Sequence, residues 1–123
     1  MTKPSVNVAP TYFVNIMVSI SCRGKEYKVT CSPEGVVVGL PDTVINYQIV
    51  ATDGRDIRFV GMTPKACDSD GQLSEASISQ SGKLLTFSDA NTDQNQFHIT
   101  LEFEDMGNGR FFHDPQILND PQR

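Results

Sequence analysis

With 123 residues and a net charge of −5, the chain is long enough to bury a core as one domain over residues 1–123, without metal or disulfide staples. Its ten Lys and Arg are scattered, which excludes the basic surface that phosphate neutralisation requires and with it a nucleic-acid partner. Tryptophan is absent, and short apolar runs separated by Ser, Thr, Asp, Asn, Gly and Pro favour strands and turns over long helices.

Residues 1–10 carry two prolines and little pattern, which predicts a loose N-terminal arm. The opening MTKPSVNVAPTYF has no apolar run of the signal-peptide kind, and no segment approaches the ~20 apolar residues of a membrane span. A cytoplasmic protein without a membrane partner is expected. From Tyr12 onward Val14, Ile16, Val18 and Ile20 fall on one face with Asn15, Ser19 and Ser21 on the other, Phe13 and Met17 being the large apolar exceptions, as in a half-buried strand. A two-residue turn at Arg23 and Gly24 would lead into Lys25–Cys31 and pair Ile20 with Tyr27, Val18 with Val29 and Ile16 with Cys31.

Pro33, Glu34 and Gly35 make the next turn, before a short strand from Val36 to Leu40. Thr43–Ala51 and Arg55–Met62 read as a hairpin on a Thr52, Asp53, Gly54 loop, with Tyr47 facing Phe59 and Ile49 facing Ile57. Met62–Gln72 is irregular and predicts a crossover loop. Ala76–Gln80 and Lys83–Ser88 form a short hairpin on Ser81 and Gly82, and SDANTDQN then makes a corner that reads as too polar to be buried.

The strongest pattern is QFHITLEFE, Gln96 to Glu104, in which Phe97, Ile99, Leu101 and Phe103 alternate strictly with polar residues. The Gly-rich turn after it returns Phe111 and Phe112 across the sheet. A two-residue turn at Asn108 and Gly109 sets His113 opposite Glu104, and a four-residue loop pairs Phe103 with Phe112; burial favours the second. The tail, with Phe111, Phe112, Ile117 and Leu118, is expected to belong to the fold. In DPQILNDP each proline removes a ladder donor, which predicts an edge strand or an ordered tail. Together the elements predict an immunoglobulin-like antiparallel β-sandwich of seven to eight strands.

Asp89, Asn91, Asp93 and Asn95 place oxygen ligands at alternate positions, a spacing a calcium shell can use. The EF-hand positions for Gly and Glu hold Gln94 and Thr100, so a helical calcium loop is excluded. Such residues more commonly bond their own backbone in turns. A second, weaker acidic loop has Asp68, Asp70 and Glu75 around Gly71. Cys22, Cys31 and Cys67 form an odd set without CxxC spacing, so free thiols are expected and no zinc site is suggested. His98 and His113 are not placed in one site, and the closely spaced Cys, His and Met of a blue-copper centre are missing. No GxSxG, GxGxxG or P-loop pattern occurs.

The segment from about Leu84 to Pro121 has a strand, an Asp and Asn corner, an alternating strand, a Gly-rich turn and then DPxIxN. It resembles the DP-EP family, and more loosely the inclusion-body proteins. Both acidic-proline pairs here are Asp-Pro, at Asp114 and Asp120. The resemblance implies a bacterial β-sandwich protein of unknown role and supplies no catalytic residues. Strong strand patterning without clustered reactive groups predicts a non-enzymatic interaction or structural module that self-associates through an exposed strand edge. The alternative is a calcium or small-ligand binder using the Asp89–Asn95 corner.

Overall fold

Ten strands, rather than seven or eight, make up a computed structural model that describes residues 10–65 and 71–121. They are β1 (Phe13–Arg23), β2 (Glu26–Ser32), β3 (Val36–Val38), β4 (Thr43–Ala51), β5 (Ile57–Pro64), β6 (Ser77–Ile78), β7 (Leu84–Asp89), β8 (Asn95–Asp105), β9 (Gly109–His113) and β10 (Gln116–Asn119). The first sheet runs β2-β1-β4-β7-β6 and the second β3-β10-β8-β5, with β9 also on β8. Both sheets are mixed rather than antiparallel: β1 lies parallel to β4, and β3 parallel to β10. No helix among the described residues is long and apolar enough to cross a membrane.

The alternating stretch is the spine of the second sheet. Phe97, Ile99, Leu101 and Phe103 of β8 are each fully buried, and at ~1.5–3 kcal/mol per buried side chain they anchor the core. Facing them from the first sheet are Ile16, Val18, Ile20, Ile45, Tyr47, Leu85 and Phe87, so both sheets close on one apolar layer.

The first hairpin forms, but with its register moved by two. Gly24, not Arg23, opens the turn, and the pairs are Val18 with Cys31, Ile20 with Val29 and Cys22 with Tyr27. The cause is Gly24, whose φ of 59° suits the first central position of a hairpin turn, where a side chain would be strained. A shift of two keeps every side chain on its expected face.

The expected β4–β5 hairpin does not exist. The turn is there, with Asp53 and Gly54 both at positive φ and Arg55 N donating to Thr52 O at 3.1 Å. Yet β4 is already flanked by β1 and β7, so β5 has no free edge to join and pairs with β8 in the other sheet. Tyr47 and Phe59 therefore belong to opposite layers of one core. The Ser79–Gly82 turn between β6 and β7 forms as expected, closed by Gly82 N donating to Ser79 O at 2.9 Å.

At the C-terminus the loop after β8 has three residues, so Phe103 pairs with Phe111 and Glu104 with Arg110; neither expected register occurs. Phe111 thereby turns inward, stacked on Phe103 at 5.0 Å, and Phe112 is left 61% exposed. The tail is part of the fold, but not at an edge: β10 lies between β3 and β8. Its prolines, Pro115 and Pro121, fall just outside the strand, where a missing donor breaks no ladder. Residues 1–9 of the expected arm at 1–10, together with Cys67, Asp68 and Asp70, lie outside the described residues.

Candidate functional site

Three places on this frame bring chemistry-bearing side chains together. The first is the Asp and Asn corner. It is not the exposed loop that its polarity suggests, because Asp89 is fully buried, Asn91 is 2% exposed, and Asn119 of β10 is buried beside them. Asp89 Oδ1 accepts from Asn119 Nδ2 at 2.9 Å and from Asn91 N at 3.0 Å. Asn91 holds a φ of 52°, a conformation Asn tolerates better than most residues. Its Nδ2 donates to Val38 O and Leu40 O at 3.0 and 3.3 Å.

The corner thus ties β7 to β10 and to the end of β3, joining the two sheets. Asp89 Oδ2, Asn91 Oδ1 and Asn119 Oδ1 accept no hydrogen bond among the described residues. Burial raises the Asp89 pKa despite the donors from Asn119 and Asn91. Of the other two predicted ligands, Asp93 is exposed and Asn95 is half-buried at the start of β8. The four therefore do not share one environment. Glu75, from the second acidic loop, is exposed.

The second place is the seam where β2, at the edge of the first sheet, meets β9 of the second. Tyr27 stacks on Phe111 at 4.0 Å with the rings 4° from parallel, and its hydroxyl donates to Asp105 Oδ2 at 2.7 Å. Arg55 reaches the same oxygen at 3.0 Å. Burial alone would push the Asp105 pKa up, but hydrogen bonds from Tyr27, Arg55 and Asn108 outweigh it and hold the carboxyl below the usual range.

At the other end of this seam, Cys31 of β2, Glu34 of the following turn and His113 of β9 present a thiol, a carboxylate and an imidazole within 4.8 Å of one another. His113 Nε2 lies 2.8 Å from Glu34 Oε1, and Cys31 N donates to Glu34 Oε2 at 2.9 Å. Burial, with Glu34 beside it, pushes the Cys31 thiol up to about 12. Sequence reasoning missed this group because Glu34 lies 79 residues before His113 in the chain and Cys31 precedes Glu34, so only the fold brings them together. The one local signal is the CxxE spacing, with Glu in the place of a second Cys. His98, on the outward side of β8, is not part of it.

The third place is the outer face of the first sheet. Apart from Arg23 at the hairpin end of β1, the outward residues of β1, β4 and β7 carry no charge, and Phe13, Met17, Val50 and Leu84 are exposed there at 60%, 59%, 50% and 38%. At its centre Asn46 Nδ2 donates to Asn15 Oδ1 at 3.0 Å, and Thr86 Oγ1 donates to Asn46 Oδ1 at 2.7 Å. The charged Arg23, Glu26 and Lys28 sit only at the hairpin end.

Two mixed sheets closed on one core, with no helix among the described residues, define an all-β protein of two layers. The model of the DP-EP family matches residues 11–121, and the chain belongs to that family. No curated protein matches the sequence.

Proposed function

We propose that this protein is a non-enzymatic interaction module with an immunoglobulin-like sandwich, which associates with further copies of itself through the outer face of its first sheet. The observation that carries the reading is the outer surface of β1, β4 and β7, free of charge up to Arg23 at the hairpin end, with Phe13 and Met17 as its apolar points. In a chain of net charge −5, self-association is opposed by repulsion over most of the surface. Only where no like charges meet does apolar burial act unopposed.

The strand edges are poorer candidates. β3 and β6 have three and two residues, and β5 is interrupted by a register shift between Phe59 and Gly61. Short and bulged edges resist pairing. The edge of β2, with Glu26 and Lys28, is longer, at seven residues. Sedimentation velocity over a concentration series tests the proposal, with Met17→Lys as the variant. Association in the parent that is lost in the variant supports the face; a parent that stays monomeric throughout refutes it.

The second reading is a calcium-binding corner at Asp89, Asn91, Asp93 and Asn95. The observation that favours it is the trio of buried oxygens on Asp89, Asn91 and Asn119 that accept no hydrogen bond among the described residues, since hard cations take such ligands. Calorimetric titration with calcium tests it. Absence of heat and of any rise in melting temperature removes it, because a ligand bound to the native state must stabilise it.

A further inference from the structure

We propose that Cys31, Glu34 and His113 bind a divalent transition-metal ion of the zinc class, clamping β2 of the first sheet to β9 of the second. One sulfur, one oxygen and one nitrogen within 4.8 Å of one another make the donor set that suits a borderline ion: thiolate and imidazole select against calcium and magnesium, and three protein ligands leave a fourth position open. The distances need little change. Bond lengths of ~2.0–2.3 Å in tetrahedral geometry put ligand atoms ~3.3–3.6 Å apart, so the 2.8 Å His113–Glu34 contact must open slightly while both side chains close on Cys31 Sγ.

The groups that must move are the ones free to do so. Glu34 is in a turn with its side chain 59% exposed, and that of His113 is 22% exposed. Cys31 is fixed in β2 and buried, which gives the site a rigid wall and an open mouth. On binding, the Cys31 thiol proton passes to solvent, and the ion holds the resulting thiolate.

Behind Cys31, in the same core cluster, Tyr47 is fully buried with a hydroxyl that has no hydrogen-bond partner among the described residues, at a cost of ~1–3 kcal/mol for a group of this kind.

The test is titration of the full-length, metal-free protein with cobalt(II), read by the sulfur-to-cobalt charge-transfer absorption, followed by displacement with zinc. One equivalent is expected to bind with that absorption, and to raise the melting temperature. The Cys22→Ser, Cys67→Ser double variant should keep it and Cys31→Ser should lose it. His113→Gln and Glu34→Gln, whose side chains lie on the open side, should bind more weakly by more than the ~10–100-fold that loss of an outer hydrogen-bonding partner costs. They decide the matter if Cys31→Ser does not fold. No charge-transfer absorption in the folded parent, or unchanged affinity in His113→Gln, would overturn the proposal.

Discussion

Replacing Ile117 by Ala tests whether β10 is an interior strand. Ile117 is fully buried and is paired on one side with Val36 and on the other with Phe97, both also buried. Truncation of a buried Ile to Ala costs ~2–5 kcal/mol, depending on how far the surroundings collapse. Here ladder strands on both flanks hold the gap open, so ~3–5 kcal/mol is expected, a large part of the ~5–15 kcal/mol by which such domains are stable. Phe112→Ala is the control: its ring is larger but 61% exposed, and a change within ~0.5 kcal/mol is expected. Urea unfolding with the slope held equal to that of the parent measures both. A loss below ~1 kcal/mol for Ile117→Ala, or an equal loss for Phe112→Ala, would refute the central placement of β10.

Further outcomes follow from the polar and turn positions. The folded pKa of Asp105 is lowered, so its contribution is present above the unfolded value of ~3.9 and lost as pH falls through the folded value. Asp105→Asn should flatten the acid limb of stability against pH. The folded pKa of Asp89 is raised, so its contribution is present below ~3.9 and lost as pH rises through the folded value. Asp89→Asn should remove that loss and be at least as stable as the parent at neutral pH; a less stable variant there would show that Asp89 acts as a carboxylate. Gly82 has a φ of +77°, and a Cβ on it would sit 2.6 Å from Arg58 Cβ. Gly82→Ala should therefore cost more than the ~1–2 kcal/mol of left-handed strain alone, whereas Gly35→Ala, with open space around it, should be near neutral by thermal unfolding. Cys22 and Cys31 are free, and thiol titration of denatured, unreduced protein should count all three cysteines; fewer would reveal a bridge to Cys67.

Local patterning was legible and spatial partnership was not. The period-two alternation of β8 identified Phe97, Ile99, Leu101 and Phe103 as core, and Thr43–Ala51 matched β4 residue for residue. The two-residue slip in the first hairpin was invisible because alternation fixes a face, not a register. The same degeneracy hid the passage of β5 to the second sheet: Tyr47 and Phe59 point into the core either as hairpin neighbours or as facing layers. Asp89 and Asn91 read as solvated because the residue that satisfies Asp89, Asn119, lies 30 positions on. The Cys31, Glu34 and His113 group was out of reach for a related reason, since its members come from two sheets.

The proposal of self-association through the outer face of the first sheet is tested most directly by amide NMR spectra of the protein recorded over a dilution series. Concentration-dependent shifts confined to residues around Phe13, Asn15, Met17, Asn46 and Thr86, and absent in Met17→Lys, are the predicted result. Spectra independent of concentration, or shifts that map instead to the β2 edge at Glu26–Ser32, would contradict it.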